Sequence, residues 1–175
     1  VKVEVPQFLK LVEQANSALF FDLETQGLHA DYGKILVYSR MWVNDKAPTT
    51  TLRENNILRA MRSDFDRADL IVGYNSRLFD VQFANTRLLE RGLEPLPQRH
   101  HLDMYFALKG KLRTNSKSMG AVGSLLGLNE SKLALRPQEW RNVNYDALTK
   151  RCESDVKLLL DVYKATKHLV KTINT

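Results

Sequence analysis

Asp22 and Glu24 stand two residues apart in the stretch Phe20-Phe21-Asp22-Leu23-Glu24-Thr25. On a strand, residues i and i+2 point to the same side, so the two carboxylates share a face while Phe21 and Leu23 take the other. Two adjacent carboxylates on an apolar strand repel each other. They are tolerated when one is protonated or when a cation neutralises both. Hard divalent ions such as Mg²⁺ favour such oxygens. A third carboxylate, Asp80, follows Gly73-Tyr74-Asn75-Ser76-Arg77-Leu78-Phe79 and opens a helical pattern, where the helix dipole favours an anion. Taken alone it reads as a cap. A fourth, Asp155, lies in Arg151-Cys152-Glu153-Ser154-Asp155-Val156, beside the apolar positions Cys152, Val156 and Leu159. A lone charge at the rim of a buried stripe is costly. An i, i+4 pair with Arg151 is the plain structural alternative.

The elements that must position these groups follow from periodicity. Ala18 to Glu24 reads as a strand, Lys34 to Val43 as a second, and Thr49 to Arg53 as its antiparallel return after the turn at Asn44-Asp45-Lys46-Ala47-Pro48. Leu70 to Tyr74 is a short apolar run of the kind found in buried central strands. His101 to Tyr105 is a candidate edge strand. Helical spacing marks a segment from Pro6, then Asn56 to Ala68, Phe79 to Arg91 with Gly92 ending it, Ser118 to Leu126, and a long run from Tyr145 to Ile173. A hairpin followed by crossover helices predicts an α/β fold with a mixed sheet and helices on its faces.

The chain has 175 residues, 43% hydrophobic and 26% charged. That suits one globular domain over residues 1–175 with a substantial core. No apolar run approaches the roughly 18 residues that span a bilayer, so no membrane partner is expected. Nothing at the N-terminus has the order of a secretory signal. Val1 in place of an initiator Met points to trimming or to a piece of a longer chain. With Cys152 the only cysteine, no internal disulfide can form, and an intracellular setting is expected. The net charge of +6 suits a polyanionic partner. The loop Lys109 to Lys117, with Lys111 and Lys117, can bring ammonium groups to phosphates or simply be solvated. Lys164, Lys167 and Lys171 read as a solvated helix face. His100, His101 and Asp103 do not share a strand face, so Asp103 is read as structural.

Asp22-Leu23-Glu24-Thr25-Gln26-Gly27-Leu28, then Gly73-Tyr74-Asn75 through Phe79-Asp80, then Tyr145 through Asp155-Val156, resemble the three ordered motifs of the DEDD 3′–5′ exonucleases. The third motif is most similar to stand-alone and polymerase-linked members, and the resemblance covers about residues 16 to 165. It implies a ribonuclease H-like fold, with a mixed five-stranded sheet flanked by helices. It implies a metal-dependent exonuclease that hydrolyses phosphodiester bonds with two divalent ions, Mg²⁺ or Mn²⁺. Asp22, Glu24 and Asp155 would bind one ion, Asp22 would bridge to the second, and Asp80 would act through that ion's water. Thr25, Gly27 and Leu28 would lie under the terminal nucleotide of a single-stranded 3′ end. Asn75 would face the substrate strand with Phe79 beside it, although Leu28 and Phe79 serve equally well as core. DNA is favoured over RNA by analogy with the polymerase-linked members alone. Oligomeric state is left open.

One position departs from the pattern. The tyrosine branch of these enzymes has a Tyr four residues before the last Asp, and here that residue is Arg151. The histidine branch has His one residue earlier, and here it is Lys150. A permanent cation cannot serve as a general base. Arg151 either stabilises phosphate charge, as a further catalytic residue, or neutralises Asp155. The second case gives the competing expectation of a nucleic-acid-binding or protein-docking module that keeps the fold with impaired chemistry. A ribonuclease H-like endonuclease is the third.

Overall fold

The computed structural model describes residues 9–10, 12–13, 17–128 and 135–170. Five strands form one sheet: β1 (Ala18–Gln26), β2 (Lys34–Trp42), β3 (Thr49–Leu52), β4 (Leu70–Gly73) and β5 (His100–Asp103). Their spatial order is β3-β2-β1-β4-β5. β2 runs antiparallel to β1 and β3, while β1, β4 and β5 are parallel, so the sheet is mixed as the sequence predicts. From residue 17 onward, the α-helices among the described residues are α1 (Glu54–Arg67), α2 (Asp80–Glu90), α3 (Met104–Leu108), α4 (Met119–Leu125), α5 (Pro137–Arg141) and α6 (Tyr145–Thr166).

Alternation along β1 divides the core. Leu19, Phe21 and Leu23 pack with Ile57, Met61 and Phe65 of α1 and Phe83, Ala84 and Leu88 of α2. Ala18 and Phe20 pack on the other side with Val156, Leu159 and Tyr163 of α6 and Met119 and Val122 of α4. Leu148 and Cys152 of α6 meet Leu36 and Val37 of β2. The layer holding α1 and α2 is fixed by Glu54, which accepts from Arg87 at 2.8 and 3.0 Å and from the Ile35 N–H at 3.0 Å.

Beyond shifts of a residue or two at element ends, the structure departs from the sequence reading in three places. The edge strand begins at His100 and ends at Asp103, because the Asp103 carboxylate accepts the Tyr105 N–H and starts α3 at Met104. α5 has no counterpart in the sequence reading, although Pro137 at its first turn is a start signal. The long helix stops at Thr166 and tightens into a 3₁₀ turn over Lys167–Leu169. The Thr166 hydroxyl turns back to the Val162 carbonyl at 2.6 Å there. Most of the helix expected from Pro6, and residues 171–175 with Lys171, lie outside the described residues.

Candidate active site

β1 pairs with β4 only through Ala18, Leu19 and Phe20. Past Phe20 the strand keeps its β2 neighbour but leaves the β4 side open. Asp22 and Glu24 therefore stand at a crevice outside the carboxyl end of β4, where the chain connections diverge to left and right. Open α/β sheets bind ligands at such a point. A register shift in the β1–β2 ladder between Glu24 and Thr25 bends the strand end beside them.

α6 crosses this face and supplies Asp155. Asp22, Glu24 and Asp155 each offer a carboxylate oxygen, and these lie within 4.8 Å of one another. Glu24 and Asp155 are buried and Asp22 is half-buried. An all-carboxylate set of this spacing, drawn from a strand and a helix, fits a hard divalent cation such as Mg²⁺ or Mn²⁺. The Cys152 thiol donates to the Asp22 carbonyl at 3.3 Å and locks α6 to β1. Burial pushes that thiol well above its ordinary pKa.

Arg151 meets two of the three carboxylates, Glu24 and Asp155. Its Nε donates to Glu24 Oε1 at 2.7 Å and lies 3.8 Å from Asp155 Oδ2. The guanidinium carbon stands 5.1 Å above the centre of the Trp140 ring. Trp140 Nε1 donates to the other Glu24 oxygen at 2.8 Å. Burial raises the Glu24 pKa, and the Arg151 charge and the Trp140 N–H oppose it.

Asp80 opens α2 as expected and is buried, outside this trio. Burial pushes its pKa up to about 7. Like charge on Asp103 and Glu24 adds to that, while the backbone N–H groups of Leu23 and Asp80 oppose it. The turn before it is held from β5: Asp103 accepts the Asn75 N–H at 2.8 Å and the Arg77 N–H at 3.0 Å. Asp103 is thus structural, and it shapes the loop that delivers Asp80. Asn75 takes a left-handed conformation, φ 59°. A Cβ on Gly73 would fall 2.1 Å from Ser76 Oγ, so the loop folds back closely on the end of β4.

Two clefts flank the carboxylates. One, of about 400 Å³, is lined by Glu24, Thr25, Gly27, Leu28, Phe79 and Trp140, among others. Thr25 Oγ1 donates to the Gly27 carbonyl at 2.8 Å, and Gly27 has φ 89°, a turn suited to glycine. The other, of about 530 Å³, is lined by Asp22, Tyr74, Asn75, Tyr105, Lys117 and their neighbours. Both fall within the size range of ligand pockets. Lys111 is elsewhere: its ammonium donates to the Leu169 carbonyl and lines neither cleft. Sequence reasoning missed Trp140, Tyr74 and Tyr105. Only Pro137 at the start of α5 hinted at an element that could carry Trp140 inward.

A family model described as RNase H superfamily matches residues 19–166. Among solved structures, the chain is similar to the family B DNA polymerase of the hyperthermophilic archaeon Pyrobaculum calidifontis. The TM-score is 0.74 at 18% identity, over 86% of this chain and 24% of the polymerase. The likeness is one of fold, and the chain spans about a quarter of that protein. No curated protein matches it. Among the described residues no helix is long and apolar enough to cross a membrane.

Proposed function

Because the chain belongs to the RNase H superfamily, we propose that it is a metal-dependent 3′–5′ exonuclease acting on single-stranded 3′ ends, with DNA preferred over RNA. The observation that carries this reading is the convergence of Asp22, Glu24 and Asp155 within 4.8 Å at the open end of β1. These three would hold a divalent cation, Mg²⁺ or Mn²⁺, and Asp80 stands at the start of α2, outside the trio. When bound, the cation supplies positive charge for the scissile phosphate and lowers the pKa of water. The chain's own residues do the rest. Thr25, Gly27, Leu28 and Phe79 shape the cleft for the terminal nucleotide, and Asn75 and Lys117 line the cleft for the preceding strand. Arg151 and Trp140 hold Glu24 by both oxygens and fix its orientation. Residues 1–175 form one exonuclease-like domain in this reading.

The test uses single strands of matched DNA and RNA labelled at the 5′ end, with Mg²⁺ or Mn²⁺. Stepwise shortening from the 3′ end with release of mononucleotides is expected. Asp22→Ala and Asp155→Ala should each lower the rate by roughly a hundredfold or more while leaving the circular dichroism spectrum intact. Internal cuts would replace this reading by an endonuclease. Binding without turnover in either metal would favour a nucleic-acid-binding module, a reading that the pairing of Arg151 with Glu24 and Asp155 supports.

A further inference from the structure

The carboxylate cluster already contains a cation. Arg151 reaches it from one turn before Asp155, with its Nε 2.7 Å from Glu24 and 3.8 Å from Asp155. Its position is not a chance of a long side chain in solvent. The Arg151 side chain is only 15% exposed, and its guanidinium stacks on Trp140. Trp140 in turn is tied to the same carboxylate, Glu24. Indole, guanidinium and carboxylate thus brace one another. A stacked guanidinium, more weakly hydrated than an ammonium, is the cation best suited to such a place.

The charges decide what else the site can take. Three clustered carboxylates and one guanidinium leave a formal charge of minus two, which a single divalent ion balances. A second ion beside the same carboxylates would face both the first ion and the Arg151 charge in a partly buried site, where screening by water is weak. Asp80, which the resemblance puts in the second ion's water shell, lines neither of the two clefts beside the trio. It is buried at the start of α2.

We propose that this site binds one divalent ion rather than the two that the exonuclease resemblance implies, with the Arg151 guanidinium standing in for the second positive charge. This rests on reading the trio as a metal site. Arg151 is then a fixed part of the electrostatic machinery, held by Trp140, and its role is charge rather than proton transfer.

Mn²⁺ alone is the probe, titrated into the full chain and followed by calorimetry and by the electron paramagnetic resonance signal of the free ion. The wild type should bind one Mn²⁺ per chain. Arg151→Met removes the charge without adding an oxygen ligand, and should bind a second Mn²⁺ and hold the first at least about tenfold more tightly. Arg151→Lys keeps the charge and should stay at one. Two ions on the wild type would overturn the proposal while leaving the metal-site reading intact, and this result needs no variant to fold. One ion on a folded Arg151→Met chain would overturn it as well. No Mn²⁺ on the wild type would overturn both the proposal and the metal-site reading beneath it.

Discussion

Both oxygens of Glu24 are met by protein donors, Arg151 Nε on one and Trp140 Nε1 on the other. A buried carboxylate is stable only with such partners, because burial alone favours its protonated form. Trp140→Phe should keep a ring over Arg151 and delete the N–H bond. We predict a loss of about 1.5–3 kcal/mol in urea unfolding, the range for a hydrogen bond to a charged group. A variant as stable as the wild type would show that the indole N–H does not support Glu24. At this scale the sequence was informative about ligands and silent about their partners. Asp22 and Glu24 declare themselves because two carboxylates recur at strand spacing within apolar residues. Asp155 does so because it interrupts an apolar helix stripe. Trp140 lies 116 residues from Glu24, and no local pattern links two residues that meet only in the folded chain.

The loop between β4 and α2 shows how an element sets a side chain. Gly73 ends a buried strand, Ser76 turns back over it, and Asp103 of β5 gathers the N–H groups of Asn75 and Arg77. Gly73→Ala would drive a methyl group into Ser76, which is itself 1% exposed and cannot retreat into solvent. Overpacking of this kind costs roughly 1–3 kcal/mol. Ser76→Gly vacates the space, so the double variant should lose less stability than the two single losses combined. Strictly additive values in a urea double-mutant cycle would mean that the close approach is not what demands glycine. The elements that periodicity describes well, β1, β4, α2 and α6, are long or strongly apolar. α3 and α5 have five residues each, too few for a repeating pattern, and they exist because Asp103 caps one and Pro137 opens the other. The mixed sheet was legible because a hairpin fixes antiparallel neighbours and each crossover helix fixes parallel ones.

Across the molecule, stability should depend on acidity through a histidine outside the carboxylate cluster. His101 on β5 contacts Ser76 Oγ at 2.9 Å through Nε2. Burial, aided by the Arg77 charge, lowers its pKa from 6.5 to about 4. Between those values His101 binds more protons in the unfolded chain than in the folded one, so its contribution to stability falls as the pH falls, while Asp80, raised to about 7, acts with the opposite sign. The His101 contribution is fully present above pH 6.5 and is lost through pH 4, a span of roughly 3 kcal/mol. His101→Gln should raise the stability at pH 5 relative to that at pH 7, compared with the wild type, in thermal or urea unfolding, and an unchanged difference would remove His101 as a contributor. Cys152 gives the same molecule a natural clock. It is the chain's one thiol, fully buried where α6 crosses β1, with its proton held toward the Asp22 carbonyl. A sulfhydryl sealed in this way is inert until the helix lifts from the strand. The rate at which a thiol dye labels the protein should therefore time the opening of the carboxylate cluster itself, in a single-label experiment that needs no engineered probe.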